Sequence, residues 1–458
     1  MGQLSGTYTP LVDPPFRHPR AGKIRRGCLV ATGWLLAALG LLGCSPDLPP
    51  ASSTPSTASP TATVPTATAP TASQPNPSPS TPAAVSFTWA ARPDAFPGED
   101  GASLTSVAAG PAGLLAVSAP DGGEGSPTRR LWRSADGLAW QLTSTTGLPD
   151  RVYISGLWAA GGQYWLRGHQ PDSDDPGILY RSADGLAWHL SRSLGRSIQS
   201  LSVVDGCSAS MTGARDACPL FITGSRDVDG AIWRSADGGG SWARASVADA
   251  TGWRGTQDAA PVEILGIVAT SDELLAYGNG LANASDTSGY RQARFWRSAD
   301  DGRTWARVPN AALFGELYVD DVIVGGNGDV IAVGQRVDES VAVALRSVDG
   351  GRTWTRSETA GDREQGGLAQ VVIGGDGFVG LGFANPAAVD AFPVREFVWS
   401  SQDGASWVTG PAGELEGGVV DDAVRFGDRI VAVGRAWTTA ATGTWEAPFG
   451  PAVWTLEP

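Results

Sequence analysis

The sequence predicts an all-β protein, on the basis of its composition. Glycine supplies 61 of the 458 residues and tryptophan 18, whereas charged residues make up only 17%. Glycine in a helix interior costs about 1 kcal/mol relative to alanine, and soluble helices usually carry charged residues along their outer face. The only lysine is Lys23. Lysine Schiff-base chemistry and phosphate binding by a P-loop lysine are therefore excluded for the rest of the chain.

A short pattern recurs six times along the chain, and we call each copy a cassette. Every copy contains a serine, an aspartate two residues later, a glycine and a tryptophan. The copies are LWRSADGLAW (131–140), LYRSADGLAW (179–188), IWRSADGGGSW (232–242), FWRSADDGRTW (295–305), LRSVDGGRTW (345–354) and VWSSQDGASW (398–407). Self-similarity of this kind indicates a repeat protein.

A second element, a short apolar run that ends in a small residue, occurs seven times and precedes each cassette. The runs are LLAVS (114–118), YWLRG (164–168), LFITG (220–224), LLAYG (274–278), VIAVG (330–334), FVGLG (378–382) and IVAVG (430–434). Another β-like stretch and a turn stand before each run. The repeat unit is therefore predicted to be four antiparallel strands, with the cassette as the turn between the third and the fourth.

Four-stranded sheets repeated in this way predict a β-propeller. The seventh unit ends after its third strand, at Val453 and Trp454, while Trp89 near the start of the repeat region stands where a fourth strand would have its tryptophan. We therefore expect seven blades over residues 86–458, with the N-terminal strand completing the last blade so that no open edge remains between first and last blades.

The cassette resembles the Asp-box, also called the BNR repeat, whose pattern is S/T-x-D-x-G-x-T-W. The copies around Asp300 and Asp349 fit it fully, whereas in the first, second and sixth copies the tryptophan comes one residue early, which predicts a tighter turn. The resemblance implies a sialidase-like propeller in which the box is structural and lies away from the ligand site. Six aspartates are therefore assigned structural roles: Asp136, Asp184, Asp237, Asp300, Asp349 and Asp403.

The N-terminus is predicted to be a secretory signal. Five basic residues lie between positions 17 and 26, and sixteen uncharged residues then run to Gly43. The ending Leu41-Leu42-Gly43-Cys44 resembles the bacterial lipobox, which implies cleavage of residues 1–43, lipidation of Cys44 and an extracytoplasmic, membrane-anchored protein. The alternative is an uncleaved membrane anchor, for which sixteen residues fall short of the ~20 that span a bilayer.

Residues 44–85 are almost wholly Ser, Thr, Pro and Ala and predict a disordered tether. Removal of the five basic and one acidic residues of positions 1–43 changes the formal net charge from −14 to −18. A surface of this charge repels nucleic acid and anionic lipid. Membrane association is therefore expected through the lipid anchor only.

Two cysteines remain beyond the predicted signal and lipidation site, and Cys207 and Cys218 are predicted to form a disulfide in an oxidising compartment. A metal pair is the alternative, although no histidine lies nearby. The acidic segment 172–175 could hold calcium or be an ordinary solvated loop. No metal or other cofactor is expected.

Ligands of propellers with this box usually meet the opposite face, and the connections predicted to lie there are long and polar. They supply the candidate ligand-binding residues Trp253, Arg254, Tyr290, Arg291, Trp445 and Glu446. Each of these residues could also be a plain solvated loop residue. Most tryptophans occupy repeat positions and belong to the scaffold, which leaves Trp158, Trp165, Trp253, Trp437 and Trp445 as candidates for recognition.

Two functional classes follow from the resemblance. Sialidases carry an Arg-Ile-Pro motif that this sequence lacks. Seven-bladed relatives include the photosystem II assembly factor family, a non-enzymatic scaffold of which some bacterial members are lipoproteins, and xyloglucanase propellers. The sequence therefore favours a monomeric binding or scaffold protein for a protein or glycan, and the alternative is a sialidase-like or β-glucan-active glycoside hydrolase with a carboxylate pair on the loop face.

Overall fold

The computed structural model describes a large part of the repeat region. The described residues are 88–91, 95–96, 102–120, 130–150, 152–169, 178–193, 198–206, 218–254, 259–281, 291–309, 312–315, 317–336, 341–360, 366–375, 377–384, 395–410, 415, 418–437 and 449–457. The predicted signal and tether, with Cys44 and Cys207, lie outside them. Within the described ranges, no helix is long and apolar enough to cross a membrane.

The described strands form seven blades, each with four antiparallel strands, which confirms the predicted all-β, seven-bladed propeller. Blade 1 contains β2 (Ala102–Gly110), β3 (Gly113–Pro120), β4 (Arg130–Ser134) and β5 (Gln141–Leu142); blade 2, β6 (Tyr153–Ala160), β7 (Gln163–His169), β8 (Ile178–Ser182) and β9 (His189–Ser193); blade 3, β10 (Ile198–Asp205), β11 (Leu220–Arg226), β12 (Asp229–Ser235) and β13 (Ala243–Arg244).

The remaining four blades continue in chain order. Blade 4 contains β17 (Glu263–Ala269), β18 (Leu274–Leu281), β19 (Arg291–Ser298) and β20 (Thr304–Arg307); blade 5, β21 (Leu317–Val324), β22 (Val330–Arg336), β23 (Ala342–Ser347) and β24 (Thr355–Arg356); blade 6, β26 (Gly366–Gly374), β27 (Gly377–Ala384), β28 (Arg395–Ser401) and β29 (Ser406–Gly410); blade 7, β30 (Gly418–Phe426), β31 (Arg429–Trp437), β32 (Phe449–Glu457) and β1 (Thr88–Ala91).

The ring closes where the sequence predicts. β1 pairs antiparallel with β32, so that Ala91 lies opposite Trp454 and Thr88 opposite Glu457. The first strands of the blades are neighbours in the order β2, β6, β10, β17, β21, β26, β30 and then β2 again. These seven inner strands surround the axis of the ring, and the strand from the N-terminal side completes the last blade.

Short strands that the sequence did not predict accompany the blades. β14 (Ser246–Val247) runs parallel to β20, and β25 (Glu358–Ala360) runs parallel to β29. Each of these strands follows one blade in the chain and adds a fifth strand to the outer edge of the next blade. A separate hairpin joins β15 (Trp253–Arg254) to β16 (Ala259–Ala260) between blades 3 and 4.

Each cassette is a turn closed by its own side chains. In the fourth copy the Ser298 hydroxyl donates to Asp300 Oδ1 at 2.8 Å and accepts the Gly302 N–H at 2.9 Å. Asp300 Oδ1 also accepts the Thr304 N–H at 2.9 Å, and the Trp305 indole donates to the Gly302 carbonyl at 3.1 Å. Bonding from the Thr304 backbone is the main reason that the pKa of Asp300 falls to about 2.

Two lengths of cassette turn occur, as the early tryptophans predict. In the first, second and sixth copies the glycine whose N–H bonds the serine hydroxyl stands three residues after that serine, whereas in the others it stands four residues after it. The extra residue adopts a second left-handed conformation, with φ of 65° at Gly238, 55° at Asp301 and 71° at Gly350. The glycine whose N–H bonds the serine hydroxyl also has a positive φ in every cassette.

The glycine of every cassette packs against the second strand of the preceding blade. A side chain at that glycine would collide with one apolar residue, the second or third residue of that strand. The pairs are Gly137 with Val431, Gly185 with Leu115, Gly239 with Trp165, Gly302 with Phe221, Gly351 with Leu275 and Gly404 with Ile331. Arginines from the preceding blade add hydrogen bonds to cassette carbonyls, as in Arg234 to Asp301 at 2.6 Å and Arg429 to Asp136 at 3.0 Å.

The adjacent glycines of the third cassette allow this packing to be measured. Gly238 and Gly239 both have a positive φ, but a Cβ at Gly238 meets nothing within 4 Å, whereas one at Gly239 overlaps the Trp165 ring. We expect Gly239→Ala to lower the free energy of unfolding by roughly 2–5 kcal/mol, from left-handed strain and overpacking together. Gly238→Ala, the control, should cost only about 1–2 kcal/mol from strain. Equal losses in chemical unfolding would show that cassette packing contributes little.

Candidate functional site

The face of the ring opposite the cassettes is called the loop face, and the candidate binding residues are predicted to lie there. Because each cassette joins a third strand to a fourth, the first strands begin, the second strands end and the third strands begin at the opposite face. The longest connections that the sequence singled out leave the sheets at this face. The described ends of the strands therefore show where those connections are rooted.

The structure places the predicted residues in two regions of the ring. Arg291 is the first residue of β19 and lies opposite Leu281, and Tyr290, directly before it, is outside the described residues. Trp253 and Arg254 form β15 just before blade 4. Trp445 and Glu446 are outside the described residues, in the connection rooted at the last pair of β31 and β32 in blade 7.

Arg294 fixes the roots of both connections near blade 4. Its buried guanidinium donates from Nη1 to the Asp249 carbonyl at 3.0 Å, and Nη2 donates to the Leu281 carbonyl. Burial, followed by the charge of Arg307, lowers the pKa of Arg294 to about 10, so it remains charged at neutral pH. One side chain thus holds the segment before the β15–β16 hairpin and the end of β18.

A polar group at the border of blades 4 and 5 surrounds Arg291. Arg291 Nη1 lies 3.0 Å from Glu263 Oε2 in an ion pair whose side chains are 30% and 16% exposed. Tyr318 on β21 lies close enough that the charges of Glu263, Arg291 and Asp320 all affect its pKa. Burial is the main cause that raises the pKa of Tyr318 to about 12. Tyr318 is therefore a protonated hydrogen-bonding group at neutral pH and is poorly suited to act as a nucleophile.

Asn279 joins the two blades beneath this group. It is fully buried, its Nδ2 donates to the Val319 carbonyl at 2.7 Å, and its Oδ1 accepts the Val319 N–H at 2.9 Å. Both backbone groups of one residue are thus satisfied by a side chain of the neighbouring blade. This arrangement fixes β21, and with it Tyr318, against blade 4.

A second group lies where blade 7 meets blade 6. The Arg435 guanidinium lies 5.5 Å from the centre of the Phe449 ring, in cation–π geometry. Burial raises the pKa of Asp421 to about 6 although Arg435 opposes it. Burial also raises the pKa of Glu396 well above its usual value, the Val420 N–H opposes this, and the charge of Asp421 adds to it. Burial thus favours the protonated form of Glu396, and Asp421 lies close enough for its charge to act on this carboxyl.

These groups escaped the sequence interpretation because they lie inside strands and not in loops. Glu263, Tyr318 and Asp421 stand near the starts of first strands, where apolar residues dominate. One signal was available. The string VDD occurs in both β21 and β30, at equivalent places in the repeat, and two adjacent acids are unusual inside an otherwise apolar strand.

Trp165 is not a recognition residue. It is completely buried, donates from Nε1 to the Ala160 carbonyl at 3.0 Å, and packs edge-to-face on Trp242 at 5.9 Å. It stands at the same repeat position as the other residues that receive a cassette glycine, so it belongs to the scaffold. Trp158 is partly buried and packs against the core between blades 2 and 3. Trp437, the last residue of β31, is partly exposed, and its role in recognition stays a prediction.

Metal ligation finds no support in the described part of the chain, where no group of three or more His, Cys, Asp or Glu residues is arranged to hold an ion. The acidic segment 172–175 falls outside it. Cys218 is described just before β11, but Cys207 is not, and the disulfide between them stays a prediction.

No protein-family model and no curated protein matches the sequence. Among solved structures, a protein of unknown function from Dyadobacter fermentans is 17% identical, with 78% of this chain and 95% of that chain covered and a TM-score of 0.43. A YCF48 protein bound to a D1 peptide is 13% identical, with 81% and 95% covered and a TM-score of 0.47.

A xyloglucanase of family GH74 from Xanthomonas campestris is also similar. It is 16% identical, the match covers 79% of this chain and 55% of that chain, and the TM-score is 0.46. The structural neighbours thus include both a peptide-bound propeller and a glycoside hydrolase. The seven-bladed architecture of this chain is given by its own strand pairing.

The Asn279 junction can be tested by changing its polarity and keeping its volume. Asn279→Leu leaves the buried N–H and carbonyl of Val319 without their partner, and we expect the free energy of unfolding to fall by roughly 2–5 kcal/mol. Gln141→Leu, an exposed amide in the outer strand β5 of blade 1, is the control and should change it by less than about 1 kcal/mol. Similar losses for both variants in urea unfolding would contradict the assigned role of Asn279.

Proposed function

We propose that this protein is a lipid-anchored, extracytoplasmic Asp-box propeller that binds a protein or a glycan through its loop face, as a monomer. The observation that carries the proposal is the group formed by Arg291, Glu263 and Tyr318 on that face. It is held in place by buried hydrogen bonds, lies directly at the root of a long polar connection, and offers both hydrogen-bond donors and acceptors.

The chemistry of this group suits recognition. Tyr318 donates a hydrogen bond without being ionised, and the Arg291–Glu263 pair presents fixed polar atoms beside an aromatic ring. Sugars and extended peptides are both bound by aromatic surfaces with a few fixed polar groups around them. Trp253 and Arg254 follow in the nearby β15–β16 hairpin and extend the same region.

The second group gives the loop face a further binding region in blade 7. Arg435 stacked on Phe449 lies at the root of the connection that carries Trp445 and Glu446. A ligand that touches both groups must span blades 5 and 6, which separate blade 4 from blade 7 on the shorter way round the ring. An extended polymer, peptide or glycan, fits this requirement better than a small molecule does.

Binding can be measured with the purified protein on a glycan array and in a cell-surface pull-down, followed by titration of the captured ligand. We expect Trp253→Ala and Trp445→Ala each to weaken binding about tenfold or more, since aromatic anchors commonly supply over 1 kcal/mol. Leu142→Ala, an exposed apolar residue of the outer strand β5, is the control and should bind as the wild type does. Unchanged affinity in both tryptophan variants would remove these loops from the site.

A glycoside hydrolase is the second candidate, and the raised pKa of Glu396 beside Asp421 favours it. A carboxyl of raised pKa next to a second carboxyl is the arrangement used for general acid catalysis of glycosidic cleavage. Turnover of a sialoside or a β-glucan that is lost in Glu396→Gln or Glu446→Gln would replace the binding proposal by this one.

The membrane anchor is tested independently of the ligand. Cys44→Ala should release the protein from the membrane fraction or change its localisation, because the lipid carries the whole attachment. Cys28→Ala, inside the apolar stretch of the predicted signal, is the matched control and should leave the protein in the membrane fraction. Membrane partition that is unchanged in Cys44→Ala would contradict lipidation.

A further inference from the structure

Five of the six cassette tryptophans are covered by the chain segment that precedes their blade. In blades 2, 4 and 6 this segment runs parallel to the outer edge of the blade, beside the tryptophan, and we call it a clasp. The clasps are Thr146 in blade 2, β14 in blade 4 and β25 in blade 6. In blades 1 and 5 a phenylalanine covers the tryptophan instead. Phe96 lies 5.4 Å from Trp140, and Phe314 lies 6.3 Å from Trp354, measured between ring centres.

Trp242 in blade 3 is the exception. It is partly exposed, whereas the exposed fraction of the other five cassette tryptophans is 8% or less. Those five indoles each donate to the carbonyl of their own cassette glycine, at 3.1–3.3 Å, but the indole N–H of Trp242 has no acceptor within the described chain. Blade 3 has no clasp among the described strands, and residues 194–197, which connect it to blade 2, are outside the described residues.

The difference begins in the fourth strand of the preceding blade. β5, β13 and β24, which come before the three clasps, have two residues each, after which the chain crosses to the edge of the next blade. β9, which comes before blade 3, instead stays paired with β8 as far as Ser193, opposite Ile178. The backbone of β9 is therefore committed to its own blade over the stretch that leads into a clasp elsewhere.

Side chains of β9 bond to the third cassette at the place where a clasp would supply backbone. Arg192 Nη1 donates to the Trp242 carbonyl at 3.1 Å, and the Ser191 hydroxyl donates to the Gly239 carbonyl at 3.0 Å. In blade 4 the equivalent carbonyl, that of Trp305, accepts the backbone N–H of Ala248 at 3.0 Å, directly after the clasp. Among the described residues, blade 3 thus has a substitute for one clasp bond and none for the clasp strand.

We propose that the outer edge of blade 3, at Trp242, is the docking site for an extended segment of a partner protein, which takes the place of the clasp. Addition of a strand to an open sheet edge is a common way for a domain to bind a peptide. The clasps of the other blades show what such a segment contains. Val247 in β14 lies opposite Trp305, and Thr359 in β25 lies opposite Trp407, so a β-branched residue lies beside the tryptophan in both.

The charges at this edge complement an acidic residue in the partner segment. Arg244 is exposed and stands two residues after Trp242, and Arg192 adds a second positive charge at the Trp242 carbonyl. Blade 4 has Arg307 at the place equivalent to Arg244, and the chain after its clasp supplies Asp249. The partner segment is therefore an extended peptide with a β-branched residue that is followed, two positions later, by a carboxylate.

Two further features of this edge bear on binding. Leu190 of β9 is 64% exposed and directly precedes Ser191, so apolar surface lies next to the third cassette. The edge is on the outside of the ring, beside a cassette turn, and contributes no residue to the groups around Arg291 and Arg435 on the loop face. A partner segment held here leaves the loop face free for its own ligand.

Photo-cross-linking of a synthetic peptide to the purified full chain tests the site. The peptide copies residues 245–250, which include the blade 4 clasp and Asp249, and carries a photoreactive diazirine at its N-terminus. We expect mass spectrometry to find the cross-links concentrated in residues 238–245 of blade 3, and hydrogen exchange of the backbone amides there to slow when the peptide is present. A peptide with lysine in place of Asp249 should cross-link about threefold less, since Arg244 repels it.

Matched charge reversals separate this edge from general electrostatic attraction. Arg244→Glu should lower the cross-linking yield about threefold or more, because the acidic peptide is then repelled. Arg356→Glu is the control and should keep the wild-type yield, since Arg356 is exposed at the equivalent position of blade 5, whose tryptophan is covered by Phe314. Equal losses in both variants, or a wild-type yield no greater than that of the lysine peptide, would overturn the proposal. A wild-type dimer in sedimentation that Arg244→Glu dissociates would assign the edge to a second copy of the chain instead.

Discussion

The packing of each cassette glycine against the preceding blade is the contact on which the ring depends. A blade with one apolar face exposed could not fold alone, and the glycine lets the turn of the next blade approach that face closely enough to cover it. The serine, aspartate and tryptophan form hydrogen bonds within the cassette. These bonds hold the turn in the conformation that brings the glycine against the preceding blade. The six aspartates are in this way components of the contact between blades, and their exposed carboxylates need no catalytic role to account for them.

This arrangement separates the contacts that hold the blades together from the long polar connections. The cassettes, with their arginine-to-carbonyl bonds, occupy one face of the ring, and the connections with variable length and composition leave the other. The strands end at this second face in a few polar groups, which lie where the connections begin. Arg294, Asn279 and the stacked Arg435 hold these groups in place. Loops can differ greatly between such proteins without disturbing the repeat, because the residues that hold the blades together lie elsewhere.

The repeat made the fold predictable, and the same regularity hid the polar sites. The pairing of β1 with β32 follows from counting strands and tryptophans, and the two cassette lengths follow from the position of the tryptophan alone. The pair formed by Arg291 and Glu263 could not be foreseen, because the two residues lie on strands on either side of β18 and only the sheet register brings their side chains within reach. Trp165 was assigned wrongly, although its repeat position, shared with Leu115 and Phe221, already marks it as a core residue. The residues outside the described ranges, including Trp445 and Glu446, stay predictions.

The closure of the last blade has a mechanical consequence. β1 runs antiparallel to β32 and begins at Thr88, opposite Glu457, so the chain comes into the ring at the cassette face. A pull on the chain before Thr88, directed along that strand, loads the hydrogen bonds of the β1–β32 ladder together and not one after another. A strand held at the outer edge of a sheet in this shear geometry resists tension better than one peeled from its end. The strand β1, which closes the ring, therefore also bears any force that the preceding chain transmits to the propeller.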